Sequence, residues 1–291
     1  AAIVLFTLAA LLEYSRRTPL IQLRWLLHPS TLAFMAGGVM MRFMVSEQNY
    51  GVVGLLRALG MNPEQLQPLY GVIFAGMLLG VVAGAATFSV KTVLPQILVS
   101  ILLICIGGWL DLHSTSQSRP HDFFYSQFLV SCAAALFMGP LMLIGFKQVL
   151  TLGVDHMVTF IVLFSVTQSL GGLMGVALLG TLQQQRAQVY VQSIAREMPA
   201  TDAQVNLRLA QTQAAYNKVI TDPVLRRAQS QAALTQIVRR EAAVLAFNDV
   251  FRVISMLALS FLGWALYLAV RARVRAWLAS RTAGSAAPVA S

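Results

Sequence analysis

Residues 157–182 read MVTFIVLFSVTQSLGGLMGVALLGTL, an uncharged stretch long enough to cross the hydrocarbon core of a bilayer as an α-helix. Its centre nevertheless carries an amide, Gln168, which is followed by several glycines. Gly171 and Gly175 are four residues apart and therefore share one face of a helix. Small residues at this spacing let a neighbouring helix approach closely. The stretch predicts a membrane helix packed tightly on another, with Gln168 hydrogen-bonded across the interface or into a cavity.

The composition of the whole chain points to a membrane protein. Of its 291 residues, 57% are hydrophobic and only 11% are charged, whereas a soluble domain carries about 25% charged residues. The formal net charge is +10. In a chain this apolar, such a charge indicates cationic cytoplasmic loops that face anionic lipid headgroups. We therefore expect a lipid bilayer as the partner of the positive charge, and no nucleic acid.

Apolar runs of membrane-spanning length recur along the chain. We predict an all-α membrane protein with one partial and six complete transmembrane helices. Residues 1–12 are interpreted as the end of a truncated helix, and residues 13–30 as a cytoplasmic connector. The six complete spans are predicted at residues 31–54, 69–90, 93–110, 123–146, 157–183 and 247–270.

Lys and Arg residues alternate between the loops, which sets the expected orientation. The rich loops and the tail hold Arg16, Arg17, Arg24, Lys91, Lys147, Arg271, Arg273, Arg275 and Arg281, whereas the alternate short loops hold only Arg57 and Arg119. We expect the rich loops in the cytoplasm, together with a basic and partly disordered tail at residues 271–291. The long stretch 184–246 then lies on the opposite side.

The stretch 184–246 contains no glycine and is rich in Gln, Ala and Arg, which favour helix. Asp222 followed by Pro223 is typical of a helix start. We predict that the helix of 157–183 continues past Gln185, that a second helix covers about 203–219, and that a third begins near 223. This helical insertion is either a solvated spacer or a docking surface for a partner outside the membrane.

No catalytic or metal-binding pattern stands out in the sequence. It has no phosphate-binding loop, no His/Cys group at zinc spacing and no nucleophile elbow. Cys105 and Cys132 lie inside apolar runs and are interpreted as core residues, not as a disulfide. We therefore expect no enzyme activity, no metal site and no cofactor.

Ionisable groups inside the second span are the first candidate for function. A charge at membrane depth costs a few kcal/mol, so Arg42 and Glu47 are expected to face a bundle interior or water. We predict that Arg42, Glu47, Asn49 and Gln168 line a substrate or proton pathway. In the alternative interpretation, Arg42 is a structural tie between helices and Glu47 lies at the hydrated outer interface.

Other residues have simpler interpretations. Gly76, Gly80 and Gly84 form a flat stripe that predicts close helix packing, as do Gly171 and Gly175. Pro140 removes a backbone hydrogen bond and is expected to bend its helix, where it could act as a hinge.

Carboxylates near the ends of the spans are expected to be hydrated. Asp249 and Arg252 are three residues apart and predict an ion pair at the outer interface. Asp111, which directly follows an apolar run, is interpreted as an interfacial residue.

Four stretches carry a resemblance to a known family: EYSRRTPLIQLRWLLHPS (13–30), LLRALGMNPEQLQP (55–68), SLGGLMGVALLGTLQQQRAQ (169–188) and FNDVFRVISMLAL (247–259). In order and spacing they resemble the C-terminal half of a fourteen-span drug:proton antiporter of the major facilitator superfamily, the EmrB/QacA type. One departure concerns the arginine that the family often has before its Leu-Gly-Gly pattern. Gln168 and its neighbours occupy that region here.

The resemblance implies a C-terminal six-helix bundle of a multidrug efflux pump in the bacterial inner membrane, with a cytoplasmic C-terminus. Such pumps expel hydrophobic compounds in exchange for protons by alternating access. The resemblance also implies a periplasmic membrane-fusion adaptor as a partner, with 184–246 as the contact region. Two alternatives stay open at this point. One is a major facilitator importer or metabolite exporter. The other is a non-transporting scaffold or sensor that binds a periplasmic partner, which would have its Arg42 face packed shut.

Overall fold

The computed structural model describes residues 28–153, 156–198, 203–217 and 221–285. The predicted partial span at 1–12, most of the connector at 13–30 and the end of the tail lie outside these residues. The described part is built of helices and contains no strand. The α-helices are α1 (Pro29–Ser46), α2 (Val53–Ala58), α3 (Gln67–Ala86), α4 (Val93–Leu110), α5 (Phe124–Leu152), α6 (Met157–Glu197), α7 (Ala203–Tyr216) and α8 (Pro223–Ser285).

Shorter helical segments complete the chain between these helices. A π-helical segment joins α1 directly to α2, and 3-10 turns precede α3, follow α4 and precede α5. Their bounds are Glu47–Val52, Pro63–Leu66, Asp111–His113 and Pro120–Phe123. Positive φ angles at Gly60 (87°) and Gly153 (112°) occur just after α2 and α5, where the chain leaves the helix.

Five helical segments in the described part are long and apolar enough to cross a membrane: Pro63–Ala86, Val93–His113, Pro120–Thr151, Met157–Glu197 and Pro223–Arg275. They coincide with five of the six complete spans that the sequence predicts. The predicted span at 31–54 is not among them. Its α-helix, α1, ends after 18 residues at Ser46 and includes Arg42, and the chain continues as π-helix. Five of the six predicted complete spans are therefore found in the described residues, and the prediction of a multi-pass membrane protein is confirmed.

The helices pack in a consistent order of neighbours. α5 lies against both α3 and α4, α4 also packs on α8, α8 packs on α6, and α6 packs on α1. Close approach of α3 and α5 depends on glycine. A Cβ atom on Gly76 would lie 2.6 Å from the carbonyl oxygen of Phe128, and one on Gly80 would overlap the Cys132 carbonyl oxygen. Gly84 lies in looser contact with Leu136.

Two large buried apolar clusters fill the described bundle, beside a small third one of Leu179, Val250 and Ile254. One includes Met41, Ile104 and Phe160. The other surrounds the end of the bundle where the π-helical segment, α2 and α8 meet, and it includes Val52 and Phe251. Large apolar side chains also cover the outside of the helices, among them Phe74, Trp109, Leu173, Met256 and Trp264. An exposed apolar surface of this kind is what a bilayer would cover.

The insertion at 184–246 is helical where it is described. α6 runs on to Glu197, α7 packs on α8, and the Asp222 side chain accepts a hydrogen bond from the Val224 backbone N–H (2.8 Å) at the start of α8. α8 then continues without a break through the last span and reaches Ser285, so part of the predicted disordered tail is helix.

Candidate functional site

Glycines bring α1 and α6 into backbone contact. A Cβ atom on Gly171 would lie 2.7 Å from Arg42 Cβ and 2.8 Å from the Val39 carbonyl oxygen. A Cβ atom on Gly175 would come still closer to α1 and overlap the Ser46 side chain. Thr167, one turn earlier on the same face, is fully buried. The small-residue stripe of α6 thus faces α1, and the Arg42 side chain lies along it, because a Cβ atom on Gly172 would be 3.7 Å from Arg42 Nε.

A cavity of about 420 Å³ lies beside this contact. It is lined by Arg42, Ser46, Gln168, Ser169, Gly172, Leu173 and Val176. All of these residues belong to α1 or α6, so the cavity is a partly open groove between these two helices. We call it the Arg42 cavity.

The Arg42 cavity contains polar groups without partners. Within the described residues, the Arg42 guanidinium makes no ion pair or hydrogen bond. The Nε2 atom of Gln168 is buried and also has no hydrogen-bond partner. Leu173 adds an apolar wall that is 68% exposed. The cavity therefore combines a free cation, a free amide donor and apolar surface, which suits an apolar molecule that carries an accepting oxygen.

Glu47 lies elsewhere, in a closed polar cluster with two residues from other segments. The Gln127 Nε2 group donates to Glu47 Oε1 (3.3 Å) and to Asp111 Oδ2 (3.3 Å). The exposed fractions are 1% for Glu47, 2% for Asp111 and 0% for Gln127. We call these three residues the carboxyl cluster. The structure therefore does not bring Glu47 to the Arg42 cavity. Asp111 directly follows α4, as the sequence indicates, but its side chain is buried beside Gln127.

Local structure places the three side chains of the carboxyl cluster. Asp111 is the first residue of the 3-10 turn after α4, and the Ser114 hydroxyl donates to its carbonyl oxygen (2.8 Å). Gln127 lies in the first turn of α5, where its own carbonyl oxygen accepts a bond from Gln48 Nε2 (3.5 Å). Glu47 opens the π-helical segment. The cluster thus ties the middle of the first long helix to the α4–α5 connection.

Apolar groups close the cluster on the side of α8. A Cβ atom on Gly51 would lie 3.4 Å from Glu47 Oε1 and 2.7 Å from the Phe251 ring, which is fully buried. Any side chain at position 51 would therefore push against Phe251 and the Glu47 carboxyl. Glycine at position 51 therefore leaves space for the Glu47 carboxyl group.

The carboxyl cluster leaves acceptor atoms without donors. Glu47 Oε2 and Gln127 Oε1 are buried and have no hydrogen-bond partner. No cation forms an ion pair with either carboxyl group in the described part of the chain. Such a site is deficient in hydrogen-bond donors and in positive charge.

The remaining candidate residues are dispersed. The side chain of Asn49 lies outside what the structure describes, although its backbone belongs to the π-helical segment. Pro140 lies inside α5, which continues past it to Leu152. The expected ion pair between Asp249 and Arg252 is confirmed (3.2 Å).

The Asp249 carboxylate has further partners on α6. It also lies 3.4 Å from Arg186 Nε and accepts a hydrogen bond from the Tyr190 hydroxyl (2.9 Å). It therefore links the extension of α6 to α8 near the start of the last predicted span.

Sequence reasoning missed Gln127 and did not predict that Asp111 is buried beside Glu47. A signal for Gln127 existed, because Ser126, Gln127 and Ser131 place polar side chains within about two turns of an otherwise apolar span. In the structure Ser126 and Ser131 donate to backbone carbonyls of their own helix or of the turn before it, whereas the Gln127 amide donates to both carboxyl groups. No such signal separates Asp111 from other carboxylates at span ends.

No protein-family model matches the chain, and neither a curated protein nor a solved structure is significantly similar to it. Its function therefore has to be argued from the two polar sites, the Arg42 cavity and the carboxyl cluster, and from the apolar helices that surround them.

Proposed function

We propose that this chain is part of a proton-coupled efflux transporter for hydrophobic or toxic compounds, working by alternating access. One observation carries the proposal: Arg42 and Gln168 present unpartnered polar groups to an open cavity between two apolar helices. A cation facing acyl chains at membrane depth costs several kcal/mol. The cost disappears where the cavity contains water or substrate. Transporters place their binding sites in such positions, near the midplane between helical bundles.

The arrangement of helices agrees with this proposal. The open side of the Arg42 cavity would face a second bundle of the same transporter, and motion between the bundles would expose the cavity to each side of the membrane in turn. The closed scaffold that the sequence left as an alternative would have this face packed shut, whereas the described helices leave it open. The resemblance to the EmrB/QacA type favours export over import.

The placement in the cell is part of the same proposal. By the loop charges, the C-terminus lies in the cytoplasm of a bacterial cell and the helices of 184–246 lie in the periplasm. α7 and the adjacent part of α8 carry exposed apolar residues there, such as Leu207 and Leu225. We place the contact with a membrane-fusion adaptor on this surface. Charged substitutions of these two residues should lower resistance in cells while transport in liposomes stays intact, and unchanged resistance would contradict the contact.

Transport by the full-length protein in liposomes tests the central proposal. With an imposed pH gradient, we expect gradient-driven movement of aromatic dyes, measured for one neutral, one anionic and one cationic dye. Arg42→Gln should abolish or strongly reduce transport because it removes the charge from the cavity. Arg57→Gln is the matched control, since Arg57 is an exposed residue on α2.

The same measurement separates the alternatives. Dye movement in the direction of proton flow would indicate an importer. No gradient-driven movement of any dye, or an Arg42→Gln variant that transports like the wild type, would contradict the proposal.

A further inference from the structure

We propose that Glu47 and Asp111 share one exchangeable proton, with Gln127 as the donor that holds both carboxyl groups in place. The proposal deepens the proposed function, on which it rests in one respect only: this proton would be the one that drives transport. The existence of the shared proton itself follows from the geometry of the carboxyl cluster.

The first argument is the contact between the acids. The carboxyl groups of Glu47 and Asp111 lie within hydrogen-bonding reach of each other, and Gln127 Nε2 contacts one oxygen of each at 3.3 Å. An ionised carboxylate can only accept hydrogen bonds. Contact between two carboxyl groups is therefore a hydrogen bond only when one of them carries a proton, as in the paired aspartates of acid proteases.

The second argument is an imbalance of donors and acceptors. The two carboxyl groups and the Gln127 amide present five acceptor oxygens, about two lone pairs each, to two N–H donors. The Ser126 hydroxyl lies close to Asp111, but it donates to the Phe123 carbonyl oxygen (3.0 Å). Glu47 Oε2 and Gln127 Oε1 are left buried without a partner. One added proton supplies the missing donor and reduces the charge of the pair from −2 to −1.

The third argument is that no neighbouring cation replaces the proton. Of the groups on segments packed against the cluster, Arg42 points into its own cavity, and Arg186 and Arg252 are bound to Asp249. The other titratable or charged groups described on these segments are Tyr50, Arg57, Cys105, His113, Arg119, His121, Asp122, Tyr125, Cys132, Lys147, Tyr190, Arg196, Glu197, Arg226, Arg227, Arg239, Arg240, Glu241, Tyr267, Arg271, Arg273 and Arg275. None of them forms an ion pair or a side-chain hydrogen bond with either acid in the described part of the chain.

The cluster is also connected to the Arg42 cavity through the chain. Arg42 and Glu47 belong to one continuous helical rod, and the Ser46 hydroxyl that lines the cavity donates to the Arg42 carbonyl oxygen (3.1 Å). The π-helical segment begins between them, at Glu47, and such segments often mark functional positions in helices. Loss of the proton would leave two buried anions in contact, so the π-helical segment would have to move away from Asp111. That movement would shift the wall of the cavity.

Infrared difference spectroscopy of the purified full-length protein tests for the shared proton. We expect a protonated-carboxyl C=O band that shifts in D2O and disappears in both Glu47→Gln and Asp111→Asn. Glu64→Gln, an exposed carboxylate outside the cluster, is the matched control and should keep the band. A band that persists in either cluster variant, or that is absent from the wild type at every pH at which the protein is folded, would overturn the proposal.

Transport in liposomes then tests the role of the proton. In Glu47→Gln and Asp111→Asn we expect loss of pH-driven dye accumulation, while dye exchange without a gradient continues. Retained exchange also shows that the variants are folded. Wild-type accumulation driven by a sodium gradient in place of a pH gradient, or normal pH-driven accumulation by either variant, would overturn the coupling role. If the wild type shows the infrared band but moves no dye, the shared proton stands and the proposed function fails.

Discussion

The Arg42 cavity and the carboxyl cluster begin within five residues of each other on one helical rod, yet their environments are opposite. Arg42 faces an open groove between two helices and has no partner among the described residues. Glu47 is enclosed by α5, α8 and the α4–α5 connection and is bridged by Gln127. Distance along a chain says little about the dielectric surroundings of a side chain. What decides them is which helices pack on each face.

The two environments suit the two sites to different functions. An open site with free donors can exchange a ligand with water without breaking any contact within the protein. A closed site in which each group depends on the others stabilises one arrangement, and a change of charge inside it is costly. The cavity is therefore suited to binding substrate, and the cluster is suited to detecting a proton.

The largest expected effect comes from breaking the cluster with Gln127→Leu. The substitution leaves two buried carboxyl groups without their common donor. We expect a loss of about 3 kcal/mol in the free energy of unfolding, since each buried unsatisfied group costs about 1–3 kcal/mol. Thermal unfolding of the purified protein in detergent measures the change.

The matched control is the same substitution in the other site. Gln168→Leu removes an amide whose Nε2 has no partner, so we expect a change within about 0.5 kcal/mol. Dye binding, by contrast, should weaken in Gln168→Leu. If the two variants lose equal stability, the distinction between an open and a closed site is wrong.

Five of the six complete spans, and Arg42 and Gln168 of the Arg42 cavity, could be predicted from the sequence, whereas the carboxyl cluster could not. The run at 93–110 matches α4 residue for residue, because hydrocarbon thickness and helix rise dictate its length. Arg42 could be singled out because a charge inside an apolar run is expensive wherever the neighbours lie. The pairing of Glu47 with Asp111 could not be predicted, since it depends on α4 ending beside the π-helical segment. The π-helix itself leaves no periodic signal in the residues 47–52.

A smaller effect, on the cavity side, is expected from Gly171→Ala. In a free helix this substitution favours folding by about 1 kcal/mol. Here the new Cβ atom would lie 2.8 Å from the Val39 carbonyl oxygen, a backbone atom that can move only with α1. We expect a net loss of about 2 kcal/mol from overpacking, together with a distorted Arg42 cavity and weaker dye binding.

The neighbouring glycine provides the control for this prediction. A Cβ atom on Gly172 would lie 3.7 Å from Arg42 Nε, an ordinary van der Waals distance. Gly172→Ala should therefore keep the helix gain and unfold at the same temperature as the wild type or higher. Because the two variants differ only in which face of α6 receives one methyl group, the gap between their unfolding temperatures reports the α1–α6 contact directly. Equal unfolding temperatures would mean that α1 and α6 are not in backbone contact. Because the Arg42 cavity is lined only by residues of these two helices, that result would also contradict the cavity itself.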